Sequence, residues 1–249
     1  VDLTSNIVLI TGGGSGIGLE LTRQLEALGN TVIICGRDAG KLEAAALETG
    51  AQAIRGDITL AEDQDRILAD IEARHGRLDL LINNAGLLLA YTFAHDPDTL
   101  DKIEREIAIN VTAPLTLTRR ALPLLHMSPN PAVLFIGSGL AYVASRGTPV
   151  YSGTKALIHH CAQTLRSQLA PDGVAVFEAL PPVVDTDMAR VLKSGNLKKM
   201  KPADLVHGIL KGLRYDQHEM LLGQSSQIKL MSRLAPGFLF RQFAKVEFH

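Results

Sequence analysis

Tyr151 and Lys155 stand four positions apart. On a helix that spacing puts both side chains on one face, where their head groups can meet over one bound molecule. An ammonium beside a phenol favours the phenolate, so the pair predicts a lowered tyrosine pKa. A phenol brought toward neutrality can act as general acid or base. Ser138 lies upstream, and further upstream the chain reads Thr11-Gly12-Gly13-Gly14-Ser15-Gly16-Ile17-Gly18.

The glycine-rich stretch points to the second reactant. An apolar run, Ile7-Val8-Leu9-Ile10, leads into it, and a helical pattern follows at once. A tight turn and the close approach of a pyrophosphate both need residues without a Cβ, and Gly12, Gly16 and Gly18 are the candidates. The helix start then offers unpaired N–H groups and a positive dipole end to the phosphates. The spacing is G-x-x-x-G-x-G rather than the common G-x-G-x-x-G, so the position after a first strand carries the assignment. The next apolar run ends at Gly36, followed by Arg37 and Asp38. A carboxylate at that strand end would hold the ribose 2′-hydroxyl of NAD. Here it is replaced by a glycine and an arginine, whose planar fork suits a 2′-phosphate. NADP(H) is therefore preferred over NAD(H), and Asp38 reads as a helix N-cap.

These residues need a scaffold, and the chain alternates two patterns. β-branched apolar runs occur at 7–11, 31–35, 51–55, 78–82, 132–137, 174–179 and 219–222, and helical patterns at 16–28, 39–49, 61–75, 97–125, 149–169 and 202–214. Such alternation predicts a parallel sheet with helices on both faces. The unbroken apolar strands suit a sheet buried on both sides. Two regions fall outside the alternation: residues 183–201, expected as a substrate lid, and the tail 225–249.

The chain has 249 residues, 46% of them hydrophobic, which suits one large α/β domain. A formal charge of -1 gives no global pull toward nucleic acid or acidic membranes. The apolar runs fall short of a membrane span, and no leader pattern is read at the start. Cys35 and Cys161 form neither a disulfide framework nor a metal spacing. A reduced, cytoplasmic protein is expected, with both thiols as small apolar fillers.

With these residues assembled, the chain resembles the short-chain dehydrogenase/reductase family over roughly 5–222. The motifs appear in order: Thr11–Gly18, Asn83-Asn84-Ala85-Gly86, Asn110, Ser138, and Tyr151 with Lys155. Ser138-Gly-Leu-Ala-Tyr142, Pro149-Val-Tyr-Ser-Gly-Thr-Lys155 and Leu180-Pro-Pro-Val-Val-Asp-Thr186 also resemble a bacterial branch linked to cell-envelope D-alanylation operons. The resemblance implies a single-domain, Rossmann-like, doubly wound parallel sheet. It implies that Tyr151 exchanges the proton of a carbonyl or alcohol oxygen, that Ser138 polarises that oxygen, and that Lys155 tunes Tyr151 and binds the nicotinamide ribose. Asn110 would kink its helix and hold a relay water. The cofactor would lie on Gly12, Gly14, Ser15, Gly16, Ile17, Gly18, Arg37, Asp57, Ile58, Asn84, Ala85, Gly86, Tyr151, Lys155, Pro181, Val184 and Thr186. Asp57 would meet the adenine and Thr186 the carboxamide. A homodimer or homotetramer would form through the helices at 97–125 and 149–169. The family usually has Pro-Gly where this chain has Pro181-Pro182, which puts the fine shape of the nicotinamide end in question.

Each catalytic candidate has an ordinary explanation alone: a core tyrosine, a loop serine, a helix asparagine with a local bond. Together, at these spacings, the ordinary explanations require three unrelated coincidences. The pocket is expected from 138–150, the residues just after Gly86 and the lid. Leu87, Leu88, Leu89, Tyr91, Val143 and Met188 would make it apolar, for an apolar or amphipathic small molecule. Arg190, Lys193, Lys198, Lys199 and Lys201 form a basic cluster in the lid, where an acidic substrate could be attracted, and Arg146 lies near the site; a solvated loop is the preferred reading of both. Adjacent His159 and His160 point to different parts of a helix surface and suggest no metal. The tail could pack on a neighbouring subunit, cover the substrate pocket or lie on a membrane surface; Pro236-Gly237 interrupts a long helix, and subunit packing is preferred. Two other readings compete with the enzyme: a non-catalytic NADP(H)-binding regulator or scaffold, and an envelope-associated partner using the tail.

Overall fold

Each apolar run becomes a strand with period-two facing. In the computed structural model, which describes residues 2–191 and 199–246, the strands are β1 (Ile7–Thr11), β2 (Thr31–Gly36), β3 (Gln52–Arg55), β4 (Leu80–Asn83), β5 (Ala132–Ile136), β6 (Ala175–Leu180) and β7 (Glu219–Leu221). They form one seven-stranded sheet in the order β3-β2-β1-β4-β5-β6-β7. All its pairings are parallel. The helices are α1 (Gly16–Ala27), α2 (Ala39–Thr49), α3 (Ala61–His75), α4 (Thr99–Ile107), α5 (Ala113–Leu125), α6 (Tyr151–Leu169), α7 (Pro202–Arg214), α8 (Ser225–Leu234) and α9 (Pro236–Phe243).

The alternation sorts the core into two layers. Val8, Ile10, Val32 and Ile34 face α1, α2 and α7 through Leu21, Leu25, Leu42, Leu205 and Ile209. Leu9, Ile33, Leu81 and Val133 face α3, α5 and α6 through Ile67, Ile71, Leu117, Leu124, Ile158 and Ala162. Fully burying one such aliphatic side chain is worth about 1.5–3 kcal/mol, so truncating Leu25 to alanine would cost about 2–5 kcal/mol. Asp38 caps α2 by accepting from the Lys41 N–H at 3.1 Å, as its position implied.

The elements differ from the sequence reading in a few places. The helix expected over 97–125 is divided by a π-turn at Ala108–Thr112. Asn110 sits in that turn and Pro114, which has no N–H to donate, lies in the first turn of α5. The strand expected at 78–82 begins only at Leu80, because the Leu78 N–H bonds Leu124 and the Asp79 carboxylate takes the Ile7 N–H at 2.7 Å. The helix expected from 149 starts at Tyr151. Other strand ends move by one residue.

Strand order reverses direction between β1 and β4, and open parallel sheets bind ligands at such a switch point, beyond the carboxyl ends of the strands. The connection after β6 passes over this edge. It is pinned at its base by a Val184–Met200 bridge and forms a short turn at Asp187–Val191. Of the basic cluster there, Lys193 and Lys198 lie outside the described residues. Arg190 bonds Asp187 at 2.9 Å and Lys199 lies 3.9 Å from Asp185. Among the described residues no helix is long and apolar enough to cross a membrane.

Candidate active site

The carboxyl ends of β1, β2, β4, β5 and β6 converge on one cleft of about 410 Å³. Thr11 ties two of them together, accepting at its hydroxyl the N–H groups of Asn84 and Ala85, each at 3.0 Å. Asn84 returns the contact, its amide donating to the Thr11 carbonyl at 2.9 Å. Thr11 was not among the expected site residues, although a hydroxyl at the last position of a strand before a glycine turn is a readable signal.

The glycine loop is built for close approach. Gly12 adopts φ +67°, a left-handed conformation that favours glycine. A Cβ on Gly18 would come within 2.2 Å of the Gly12 carbonyl oxygen, so turn and helix touch only because it is absent. Ser15 precedes α1 with extended backbone and makes no side-chain cap. The first N–H groups of α1 thus receive no bond from the Ser15 side chain, and a helix start of this kind suits an anion.

Sixteen of the predicted residues line the cleft: Gly12, Ser15, Gly16, Ile17, Arg37, Asp57, Ile58, Asn84, Ala85, Gly86, Ser138, Tyr151, Lys155, Pro181, Val184 and Thr186. Gly14, Gly18 and Asn110 do not. Gly14 packs on the Lys41 backbone. Asn110 acts one layer back: its Oδ1 accepts the Leu87 N–H at 2.8 Å, and its amide donates to the Leu87 carbonyl at 2.8 Å and to Thr154 at 3.2 Å. The π-turn thus grips the loop that follows Gly86. Glu106 grips the same loop through the Leu89 N–H at 3.0 Å.

At the centre, Tyr151 and Lys155 are 6% exposed each. The lysine ammonium donates to the Ile136 carbonyl at 2.8 Å and stands 5.6 Å from the Tyr151 ring centroid. The lowered tyrosine pKa expected from the spacing does not appear. Burial pushes Tyr151 up to about 12, with hydrogen bonding to Ser138 offsetting part of that rise. Burial also pushes Lys155 down to about 8, against the pull of Glu178. Desolvation of both charged forms outweighs the attraction that spacing alone suggested.

The apolar lining also differs from expectation. Leu87, Leu88 and Met188 line the cleft, whereas Leu89, Tyr91 and Val143 do not. Tyr91 and Val143 are buried behind the wall. Their places are taken by Leu140 and by Ile228, Phe243 and Val246 of the tail, which is the pocket-covering role among the three its sequence allows. Pro182 lines the cleft and lies against Gly223. Arg146 is exposed and outside the lining.

A family model for the short chain dehydrogenases matches residues 6–196. The uncharacterized oxidoreductase DltE of Bacillus subtilis (strain 168) is 33% identical over 244 residues, covering 96% of this chain and 97% of that protein. This agrees with the narrower resemblance to the D-alanylation-linked branch. A short chain dehydrogenase from Burkholderia cenocepacia J2315, solved in complex with NADP, superposes with a TM-score of 0.85 at 25% identity, covering 98% of this chain and 99% of that one. A short-chain dehydrogenase from Sphingobium yanoikuyae in complex with NADPH gives a TM-score of 0.78 at 28% identity, covering 94% of this chain and 95% of that one.

Proposed function

Since this chain belongs to the short-chain dehydrogenase family, we propose that it exchanges a hydride between NADP(H) and a carbonyl or alcohol carbon of an apolar or amphipathic small molecule. The observation that carries this reading is the set of half-buried Ser138 with buried Tyr151 and Lys155 at the wall of a glycine-floored cleft. The nicotinamide, when bound, supplies or accepts the hydride, so no metal is required.

The chain's own residues do the rest. The N–H groups at the start of α1 hold the pyrophosphate, with Gly12, Gly14 and Gly18 shaping its seat. Ser15, Gly16 and Ile17 present the backbone. Arg37 takes the 2′-phosphate, Asp57 and Ile58 flank the adenine, and Asn84, Ala85, Gly86, Pro181, Val184 and Thr186 enclose the remainder. With its pKa pushed up to about 12, Tyr151 is protonated at neutral pH and is the proton donor in the reducing direction. Ser138 hydrogen-bonds the substrate oxygen where charge develops. Lys155, pushed down to about 8, remains mostly an ammonium at neutral pH and stabilises the phenolate left on Tyr151. Asn110 holds the Leu87 loop in register with this set. The reading takes the chain as one domain, working in the cytoplasm as a homodimer or homotetramer. Exposed Ile107 and Leu157, on α4 and α6, support an apolar contact there.

The test is Tyr151→Phe, assayed with NADPH against a panel of aldehydes and ketones. Loss of general-acid catalysis lowers kcat by at least about 100-fold, with NADPH affinity held within about twofold. A variant that reduces carbonyls as fast as the parent rejects the mechanism. A protein that binds NADPH and turns nothing over would instead be a binder or scaffold.

A further inference from the structure

The face of α6 that carries Tyr151 and Lys155 continues. His159 and Gln163 follow at the same four-residue step. His159 is buried, and Glu178 on β6 is fully buried opposite it. Imidazole Nδ1 lies 2.6 Å from Glu178 Oε2, and the exposed Gln163 amide nitrogen lies 3.1 Å from imidazole Nε2. With Gln163 donating to Nε2, the ring hydrogen sits on Nδ1 and donates to Glu178. The imidazole N–H then holds one oxygen of the Glu178 carboxylate and its charge.

That charge is only half satisfied. Among the described residues Glu178 Oε1 has no hydrogen-bond partner; it lies against Gly137, where a Cβ would come within 2.6 Å of it. Gly137 follows Ile136, whose carbonyl takes the Lys155 ammonium. A buried carboxylate and a buried ammonium therefore flank one dipeptide at the end of β5, immediately before Ser138. Either charge alone in that interior would be costly, and each offsets the other.

The neighbouring charges leave Glu178 to this role. From α6 it is faced by Lys155 and His159; Arg166, further along α6, bonds the Val176 and His218 carbonyls instead. Next to β7, His218 stacks on Phe177 and bonds the Val176 carbonyl. Glu219 is occupied by Lys229 and by the Tyr142 hydroxyl, which donates to it at 2.8 Å. The Tyr142 ring meets His159 edge-on at 4.9 Å. β5 brings no charged residue. On the far side of Lys155, Glu106 acts on Tyr151.

We propose that Glu178, held by His159, is the positioning carboxylate of Lys155: across the Ile136–Gly137 dipeptide it keeps the lysine charged and seated on the Ile136 carbonyl. Its catalytic meaning rests on the function proposed above, but the charge relationship does not. Without Glu178 the desolvated ammonium loses its counter-charge and its proton is released at lower pH. Without the His159 donor, the carboxylate is no longer held against Gly137 and the same loss follows.

The experiment is an NMR titration of the full chain labelled with 13Cε-lysine, with the Lys155 resonance assigned by its absence in Lys155→Met. Glu178→Gln moves the Lys155 midpoint down by about one pH unit. His159→Phe moves it the same way. His159→Asn, which keeps an N–H near the place of Nδ1, leaves it close to the parent. A Lys155 midpoint unmoved in folded Glu178→Gln overturns the proposal, and so does His159→Asn shifting as far as His159→Phe. If Glu178→Gln does not fold, the two His159 variants decide between them. The titration uses neither substrate nor cofactor, so its outcome is separate from the Tyr151→Phe assay.

Discussion

Arg37 Nη1 lies 3.7 Å from Asp57 Oδ2 at the outer end of the cleft, with the arginine side chain 63% exposed and the carboxylate 27% exposed. Asp57 is itself fixed, accepting at Oδ1 the Thr59 N–H at 2.9 Å and hydroxyl at 2.7 Å. The guanidinium that would read a 2′-phosphate is thus shared with a neighbouring carboxylate. An exposed pair of this kind is worth about 0.2–1 kcal/mol, so it competes weakly and can be broken.

Two substitutions at this pair follow in opposite directions. Arg37→Ala weakens NADPH about tenfold relative to NADH, the loss of one charge-assisted phosphate contact of about 1.4 kcal/mol. Asp57→Asn frees the guanidinium and tightens NADPH by about two- to fivefold, in the range set by the exposed pair. Side-by-side NADPH and NADH titrations by protein fluorescence or calorimetry check both. Equal affinities in parent and Arg37→Ala would remove the arginine from cofactor choice.

Gly18→Ala tests the cradle. Its new Cβ would stand 2.2 Å from the Gly12 carbonyl oxygen and 2.6 Å from the Asn84 amide. Backbone cannot yield cheaply at that distance, so overpacking costs about 1–3 kcal/mol. The altered turn lowers affinity for both dinucleotides together. Urea unfolding and cofactor titration read the two effects, and a fully stable variant with parental binding would contradict this account of the loop.

The tail contributes Ile228, Phe243 and Val246 to the cleft wall. Removing residues 236–249 therefore raises the KM of an apolar carbonyl substrate by about tenfold or more, roughly the burial of one or two large apolar side chains. NADPH affinity stays near the parent value, because the glycine loop and Arg37 are untouched. Steady-state kinetics with cofactor titration on the same variant separates these. A variant with unchanged KM that instead changes in oligomeric state would return the tail to subunit packing.

Much of this molecule was legible in its sequence because the relevant physics is local. The apolar runs dictate strands buried on both faces, and the four-residue step from Tyr151 to Lys155 dictates a shared helix face. The glycines after β1 mark a turn without Cβ atoms, and Asp38 before α2 reads as its cap. Those features depend on residues a few positions apart, so spacing is sufficient.

Other properties depend on residues far apart in the chain. The Tyr151 pKa moves up rather than down because burial is the combined effect of many distant neighbours, and desolvation overrides a single nearby ammonium. Asn110 reaches Leu87 across 23 positions, and Glu178 meets His159 only because β6 lies under α6. The walls built by Phe243 and Val246 exist only once the tail has folded back. Sequence spacing determined which residues share an element, and the packed tertiary structure decided which charges lose their water and which side chains face one another.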